Sequence, residues 1–151
     1  MRALVQRVSE ASVTSAASRH AARETTGRIG PGMVVFVGVT HEDDARLAVR
    51  LAEKLWHLRI FPDADDAMNA SCADVAGEIL VVSQFTLYGD ARKGRRPSYV
   101  AAARPEHAEP LVELVVGRLR ELGASVATGR FRTHMEVALV NDGPVTLLVE
   151  V

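Results

Sequence analysis

The 151-residue sequence contains one cysteine, Cys72. That excludes a disulfide framework and a multi-thiolate metal centre. Glycine and proline are also sparse, 11 and 6 residues, which excludes a low-complexity or collagen-like chain. Neither sign of charge prevails. Eighteen Lys and Arg face nineteen Asp and Glu, so no global charge drives the chain onto nucleic acid or a membrane. The longest apolar run, Met33 to Val39, is strand-length and far short of the ~18 residues that would suggest a membrane span. At the start, Gln6 and Arg7 interrupt the apolar residues before a signal-peptide core forms, so the expected location is the cytoplasm. The five histidines show no H-E-x-x-H spacing, and neither a G-x-S-x-G elbow nor a P-loop occurs. No metal and no cofactor is therefore expected.

What is present suits a folded domain. Hydrophobic residues make up 48% and charged residues 25%, near the averages for globular chains. A chain of this length is expected to form one domain, 1–151, with a full hydrophobic core. Leu4 to Thr14 has strand character, and Ser15 to Thr26 reads as a long hairpin tip. Gly30-Pro31-Gly32 marks a turn before a buried strand, Met33 to Thr40. Ala48, Leu51, Ala52 and Leu55 recur at helical spacing, which predicts a helix over Asp43 to Leu58 with acids at its start. Arg59-Ile60-Phe61 is a short strand stopped by Pro62, and 63–77 reads as irregular. Ile79 to Leu87 is predicted as one strand. A second helix is expected from Pro105 to Gly123, with Ala108, Leu111, Val112, Val115, Leu119 and Leu122 as its apolar face. Ser125 to Val151 reads as strands broken at Asn141-Asp142-Gly143-Pro144. Strands with two interspersed helices make a single α/β or α+β domain.

Three segments carry possible chemistry. In Leu80-Val81-Val82-Ser83-Gln84-Phe85-Thr86-Leu87 an apolar strand turns polar midway. An ending ladder there suits a pocket rim, because freed backbone N–H groups can stabilise an oxyanion. On pattern alone, a strand reaching solvent is the simpler explanation. Asn141-Asp142-Gly143-Pro144-Val145-Thr146 lies between two apolar runs, where a hairpin turn is the plain explanation. An X-Pro bond in such a turn is also where a cis peptide is most plausible, and a cis unit could aim neighbouring carbonyls at an ammonium group. Third, Arg92, Lys93, Arg95, Arg96 and Arg104 stand in a stretch, Ala91 to Pro105, that contains no acid before Glu106. Such a patch can bind phosphates on a protein of neutral net charge, or it can simply be solvated. Cys72 and His57 read as an inert thiol and an ordinary helix residue.

Ser83-Gln84-Phe85-Thr86-Leu87 and Asn141-Asp142-Gly143-Pro144-Val145-Thr146 together resemble the two signature motifs of the D-aminoacyl-tRNA deacylases, also called D-tyrosyl-tRNA deacylases. The resemblance extends through Arg2–Val8, Gly30-Pro31-Gly32, Arg59-Ile60-Phe61, Met68-Asn69, Arg95-Arg96-Pro97-Ser98 and Thr128-Gly129-Arg130-Phe131, in order along nearly the whole chain. It departs from the family in the longer Ser15–Thr26 hairpin and in His134.

The resemblance implies a three-layer α/β/β fold with a mixed, barrel-like sheet and two main helices. It implies a homodimeric hydrolase with active sites at the subunit interface, cleaving the ester between a D-amino acid and the 3′ end of tRNA. This is chiral proofreading, extended to glycyl-tRNA mischarged on tRNA-Ala. By the same resemblance Phe85 and Thr86 supply backbone N–H groups at the scissile carbonyl, while Ser83 and Gln84 shape the site. Met135 lines it, and Arg7 holds a cis Gly143-Pro144 unit that rejects L-amino acids. Thr86 is the natural nucleophile candidate, yet no base stands beside it in the sequence. Water attack assisted by the 2′-hydroxyl of the terminal adenosine is favoured instead. Two other classes compete: a sister deacylase with trans Gly-Pro acting on small L-aminoacyl-tRNA, and a non-catalytic RNA-binding module.

Overall fold

The computed structural model describes residues 1–151. Its centre is a long first strand, β1 (Arg2–Ala16), which serves two half-sheets. Residues 2–8 pair antiparallel with β3 (Gly32–Gly38), and residues 11–15 pair antiparallel with β2 (Glu24–Ile29). The last strand, β8 (His134–Glu150), runs antiparallel along the other edge of β1 for its whole length. Beyond β3 the sheet continues in parallel through β6 (Glu78–Ser83) to β7 (Ser125–Thr128). A Cβ on Gly27 of β2 would meet the Thr128 carbonyl of β7 at 2.9 Å, so the two ends of the sheet curl toward closure. The result is the mixed, barrel-like sheet expected. A separate small ladder joins β4 (Arg59–Pro62) to β5 (Met68–Ser71).

Helices α1 (Ala45–Trp56) and α2 (Pro105–Glu121) cover one face. Asp44 caps α1 by accepting from the Leu47 N–H at 3.0 Å, and Ala48, Leu51, Ala52 and Leu55 form its buried stripe. Asp43 does not join the cap. It is buried, with one carboxylate oxygen 2.6 Å from the Met1 ammonium and the other accepting from the Thr40 N–H. Pro105 opens α2, where its missing N–H costs nothing. At the far end Gly123, at φ 99°, donates to Arg120 O while Ala124 donates to Leu119 O, the double bond of a Schellman cap.

Alternation along the strands divides the core in two. Met33, Val35, Val37, Ile79 and Val81 face the helices, where Leu51, Leu55, Val115 and Leu119 meet them. Val34, Leu80 and Val82 face the other way, against Val8, Ala11, Val13 and Ile29 inside the curled sheet. This double cover accounts for the unbroken apolar runs of β3 and β6. Truncating a fully buried residue such as Leu119 would cost about 2–5 kcal/mol.

Ser15–Thr26 is a hairpin end as expected: its flanks belong to β1, through Ala16, and to β2, from Glu24, with residues 17–23 connecting them. Three expectations need correction. The 63–77 segment contains β5. The strand expected through Leu87 stops at Ser83, and Phe85–Tyr88 is a turn of 3₁₀ helix. Asn141–Pro144 is no hairpin, because β8 pairs with the same strand, β1, on both sides of it. No helix is long and apolar enough to cross a membrane.

Candidate active site

β6 loses its partner where β3 ends. Gln84 makes the last contact, its N–H donating to Val37 O at 2.7 Å, and the chain then tightens into the 3₁₀ turn. The first bond of that turn runs from Leu87 N–H to Gln84 O. The N–H groups of Phe85 and Thr86 therefore have no partner inside the turn. Gly38 permits the approach: a Cβ there would lie 3.0 Å from Leu87 Cβ and 3.2 Å from Gln84 O. The Thr86 hydroxyl accepts from the Gln84 side-chain amide, and no histidine, carboxylate or lysine contacts it.

Ser83, Gln84 and Phe85 line a cavity of about 740 Å³ together with Met135, which comes from the start of β8. Thr86 does not line it. Three further wall residues are ones that the sequence did not single out for this site. Tyr99 meets Phe85 edge-to-face, with ring centroids 5.2 Å apart and planes at 69°. Arg104 and Thr133 complete the rim. Tyr99 follows directly on the basic loop, and that aromatic beside Arg95-Arg96-Pro97 was the available signal.

The basic loop is closed at its base, where Asp90 and Ser98 exchange backbone hydrogen bonds of 2.7 and 2.8 Å. Asp90 also holds Arg92, with a closest ion-pair distance of 2.6 Å, and the hydrogen bonds from Arg92 lower its carboxyl to about 2. The acid-free stretch is thus partly neutralised by the residue just before it. Lys93, Arg95 and Arg96 are exposed and make no ion pair within the chain.

The remaining candidates form a second group. Gln6 pairs with Thr146 and Val8 with Asn141, so Asp142 to Val145 stand opposite one residue of β1, Arg7. Four residues against one make a bulge, and Pro144, which has no N–H to give the ladder, lies in it. Asn141 ties its base, the side-chain amide donating to Arg7 O at 2.9 Å and to Val145 O at 3.0 Å. The Arg7 guanidinium braces it further. Nε donates to Asp142 O at 3.2 Å and lies 2.8 Å from the Asp142 carboxylate, Nη2 donates to Gly143 O at 3.4 Å, and Nη1 anchors on Ile60 O at 2.5 Å. The Gly143–Pro144 peptide is cis. Asp142, Gly143 and Pro144 are exposed, and neither they nor Arg7 line the cavity.

No three His, Cys, Asp or Glu side chains come together in a group able to hold a metal ion. His41 and His107 are instead spent on the carbonyls of Val100 and Asp43. Cys72 is buried in the helix-side core, and burial pushes its thiol up to about 12.

A barrel-like mixed sheet under two helices, with a cavity at the end of its parallel strands, defines the class: an α/β protein whose candidate site is built largely from main-chain groups. Comparison with known proteins gives the family. The family profile described as D-Tyr-tRNA(Tyr) deacylase matches residues 4–150. A D-aminoacyl-tRNA deacylase of Symbiobacterium thermophilum is 57% identical over 150 residues, covering 99% of this chain and 95% of that protein. One from Streptomyces coelicolor is 56% identical, with both chains covered in full. A solved structure named c-Myc DNA Unwinding Element Binding Protein superposes with a TM-score of 0.90 at 35% identity, covering 100% of this chain and 99% of the other. The chain belongs to the D-Tyr-tRNA(Tyr) deacylase family.

Proposed function

We propose that this protein hydrolyses the ester between a D-amino acid and the 3′ end of tRNA, and rejects L-aminoacyl-tRNA. The observation that carries this reading is the division of the two motifs. Ser83, Gln84, Phe85 and Met135 surround a cavity, while Gly143-Pro144 stands out on a braced, exposed bulge that does not line it. A second copy of the chain would bring the bulge of one subunit to the cavity of the other. Phe85, Leu147 and Leu148 are 56%, 40% and 56% exposed, apolar surface that such a contact would cover.

In this reading the carbonyls of the bulge accept from the substrate α-amine, and Arg7 keeps them aimed. A D-residue then turns its side chain away, whereas an L-residue drives it into Gly143-Pro144 and is excluded by the clash. Glycine has no side chain to exclude, so glycyl-tRNA on tRNA-Ala is also a substrate. The scissile carbonyl lies against the Phe85 and Thr86 N–H groups, which stabilise the developing oxyanion. Thr86 has a hydroxyl but no base, so the attacking group is water, assisted by the 2′-hydroxyl of the terminal adenosine. The ester carbon–oxygen bond breaks, water supplies the hydroxyl of the free acid, and its other proton goes to the 3′-oxygen of tRNA.

Matched D- and L-tyrosyl-tRNA, with glycyl-tRNA-Ala as third substrate, test the proposal. Rapid release of D-tyrosine and glycine with L-tyrosyl-tRNA intact is expected. Equal cleavage of the D- and L-esters, or cleavage of the L-ester alone, would replace it by the sister activity on L-substrates. Binding without cleavage of any would leave a nucleic-acid-binding module. Sedimentation at micromolar concentration reads the dimer directly.

A further inference from the structure

Met135 lies between two cavities. The first holds Ser83, Gln84 and Phe85; a second, of about 540 Å³, opens behind it between α2 and β7, with Glu113, Arg120 and Thr128 among its walls. Only Ser83, Phe131 and Met135 border both. Methionine is unbranched and has three rotatable side-chain bonds, so it makes a poor partition unless something seats it.

The seat is Gly129. An ideal Cβ on Gly129 would lie 2.4 Å from Met135 Sδ, far inside contact distance. Its next neighbour, Val13 Cγ2 at 3.5 Å, is an ordinary contact. Gly129 is not among the positive-φ glycines, so its backbone suits alanine, and its N–H is anchored on Val81 O at 3.3 Å. A methyl group there therefore displaces the thioether, and the two cavities that Met135 borders are the open space beside it.

We propose that Gly129 is a positioning residue for the reaction. By lacking a side chain it seats the Met135 thioether against the main chain, and so fixes the wall of the cavity in which the ester is held. The activity arm of this proposal rests on the deacylase reading above.

The test uses the full-length protein as Gly129→Ala, Met135→Ala and the double variant. With ε-methyl ¹³C-labelled methionine the four methionines give four methyl resonances, and Met135→Ala identifies its own. Gly129→Ala is expected to move the Met135 resonance and leave those of Met1, Met33 and Met68 in place. With D-tyrosyl-tRNA, kcat is expected to fall on the order of 10- to 100-fold, as for a small misplacement at a reacting centre. KM, set mainly by tRNA contacts outside the cavity, should stay within about twofold. In the Met135→Ala background the same methyl has nothing to displace, so it should cost less than about twofold there. An unmoved Met135 resonance, or an equal loss of kcat in both backgrounds, would overturn the proposal. So would failure of the double variant to fold, since the clash is then already gone. If the wild-type protein cleaves no aminoacyl-tRNA, the deacylase reading fails, and the resonance still decides whether Gly129 seats Met135.

Discussion

The Arg7 guanidinium donates to the Gly143 carbonyl at 3.4 Å from the opposite strand, while its other nitrogens hold Asp142 and Ile60. One planar fork thus spans β1, β4 and the bulge of β8. Lysine has the charge, but its three N–H groups radiate from one nitrogen and do not reproduce a fork of three separate nitrogens. Arg7→Lys is expected to lose nearly as much D-aminoacyl-tRNA hydrolysis as Arg7→Ala, on the order of 100-fold in kcat, with the circular dichroism spectrum retained. Full activity in Arg7→Lys would show that charge, and not the fork, is what the bulge requires.

Thr86 tests the chemistry. Its hydroxyl accepts from Gln84 and touches no base, and the Thr86 N–H survives any substitution of the side chain. Thr86→Ala should therefore keep activity within about tenfold of wild type, whereas loss of a covalent nucleophile costs several powers of ten. D-aminoacyl-tRNA ending in 2′-deoxyadenosine should be nearly inert with the wild-type enzyme. A dead, folded Thr86→Ala together with normal cleavage of the 2′-deoxy substrate would make Thr86 the nucleophile.

The exposed loop between Asp90 and Ser98 stands beside the cavity, joined to it through Tyr99 and Phe85. Arg95 and Arg96 have no acid to answer, whereas Arg92 is held by Asp90. Changing both Arg95 and Arg96 to Ala should weaken tRNA binding and flatten the slope of log affinity against log salt by up to about 2, one for each phosphate that an arginine no longer neutralises. Arg92→Ala should change it less. Filter binding from low to moderate salt reads both, and equal slopes in all three proteins would assign the loop to bare solvation.

Cys72 predicts a pH effect on stability. Burial raises its folded-state pKa from 9.0 to about 12, so the folded chain keeps the proton that the unfolded chain releases. The resulting stabilisation is complete below about pH 9 and is lost as pH rises toward 12. Tyr88, raised from 10.0 to about 12 chiefly by burial, adds a decline over the upper part of that window. Urea unfolding of Cys72→Ala should show a shallower fall of stability between pH 9 and 11 than wild type. The thiol should ignore a polar disulfide reagent until the chain unfolds. Labelling of the native protein at pH 7 would contradict the burial argument.

Periodic elements could be read directly from the residues. Both helices fall within two residues of their expected spans, because their apolar stripes, Asp44, Pro105 and Gly123 are local signals. The unbroken apolar runs of β3 and β6 likewise announce burial on both faces. The end of β6 is different. Ser83 to Leu87 keeps an alternating pattern, but the strand stops where the chain tightens into a 3₁₀ turn packed on Gly38 of β3, and that approach is not a property of the segment itself.

The bulge shows the same division most sharply. Composition at Asn141-Asp142-Gly143-Pro144 announces a break in the ladder, and the family resemblance names the residues concerned. Whether the chain reverses there or continues depends on the partner strand, and β1 is long enough to pair with β8 on both sides of the break. Residue identity determined the helices, the buried strands, the breaks and the two motifs, since each rests on interactions within a few positions. Tertiary structure alone decided that Arg7 meets Gly143 across 136 positions, that Met135 rests on Gly129, and that the cavity and the bulge lie apart within one chain. Those relations depend on how β1 curls between two half-sheets, a global balance of packing that no local segment encodes.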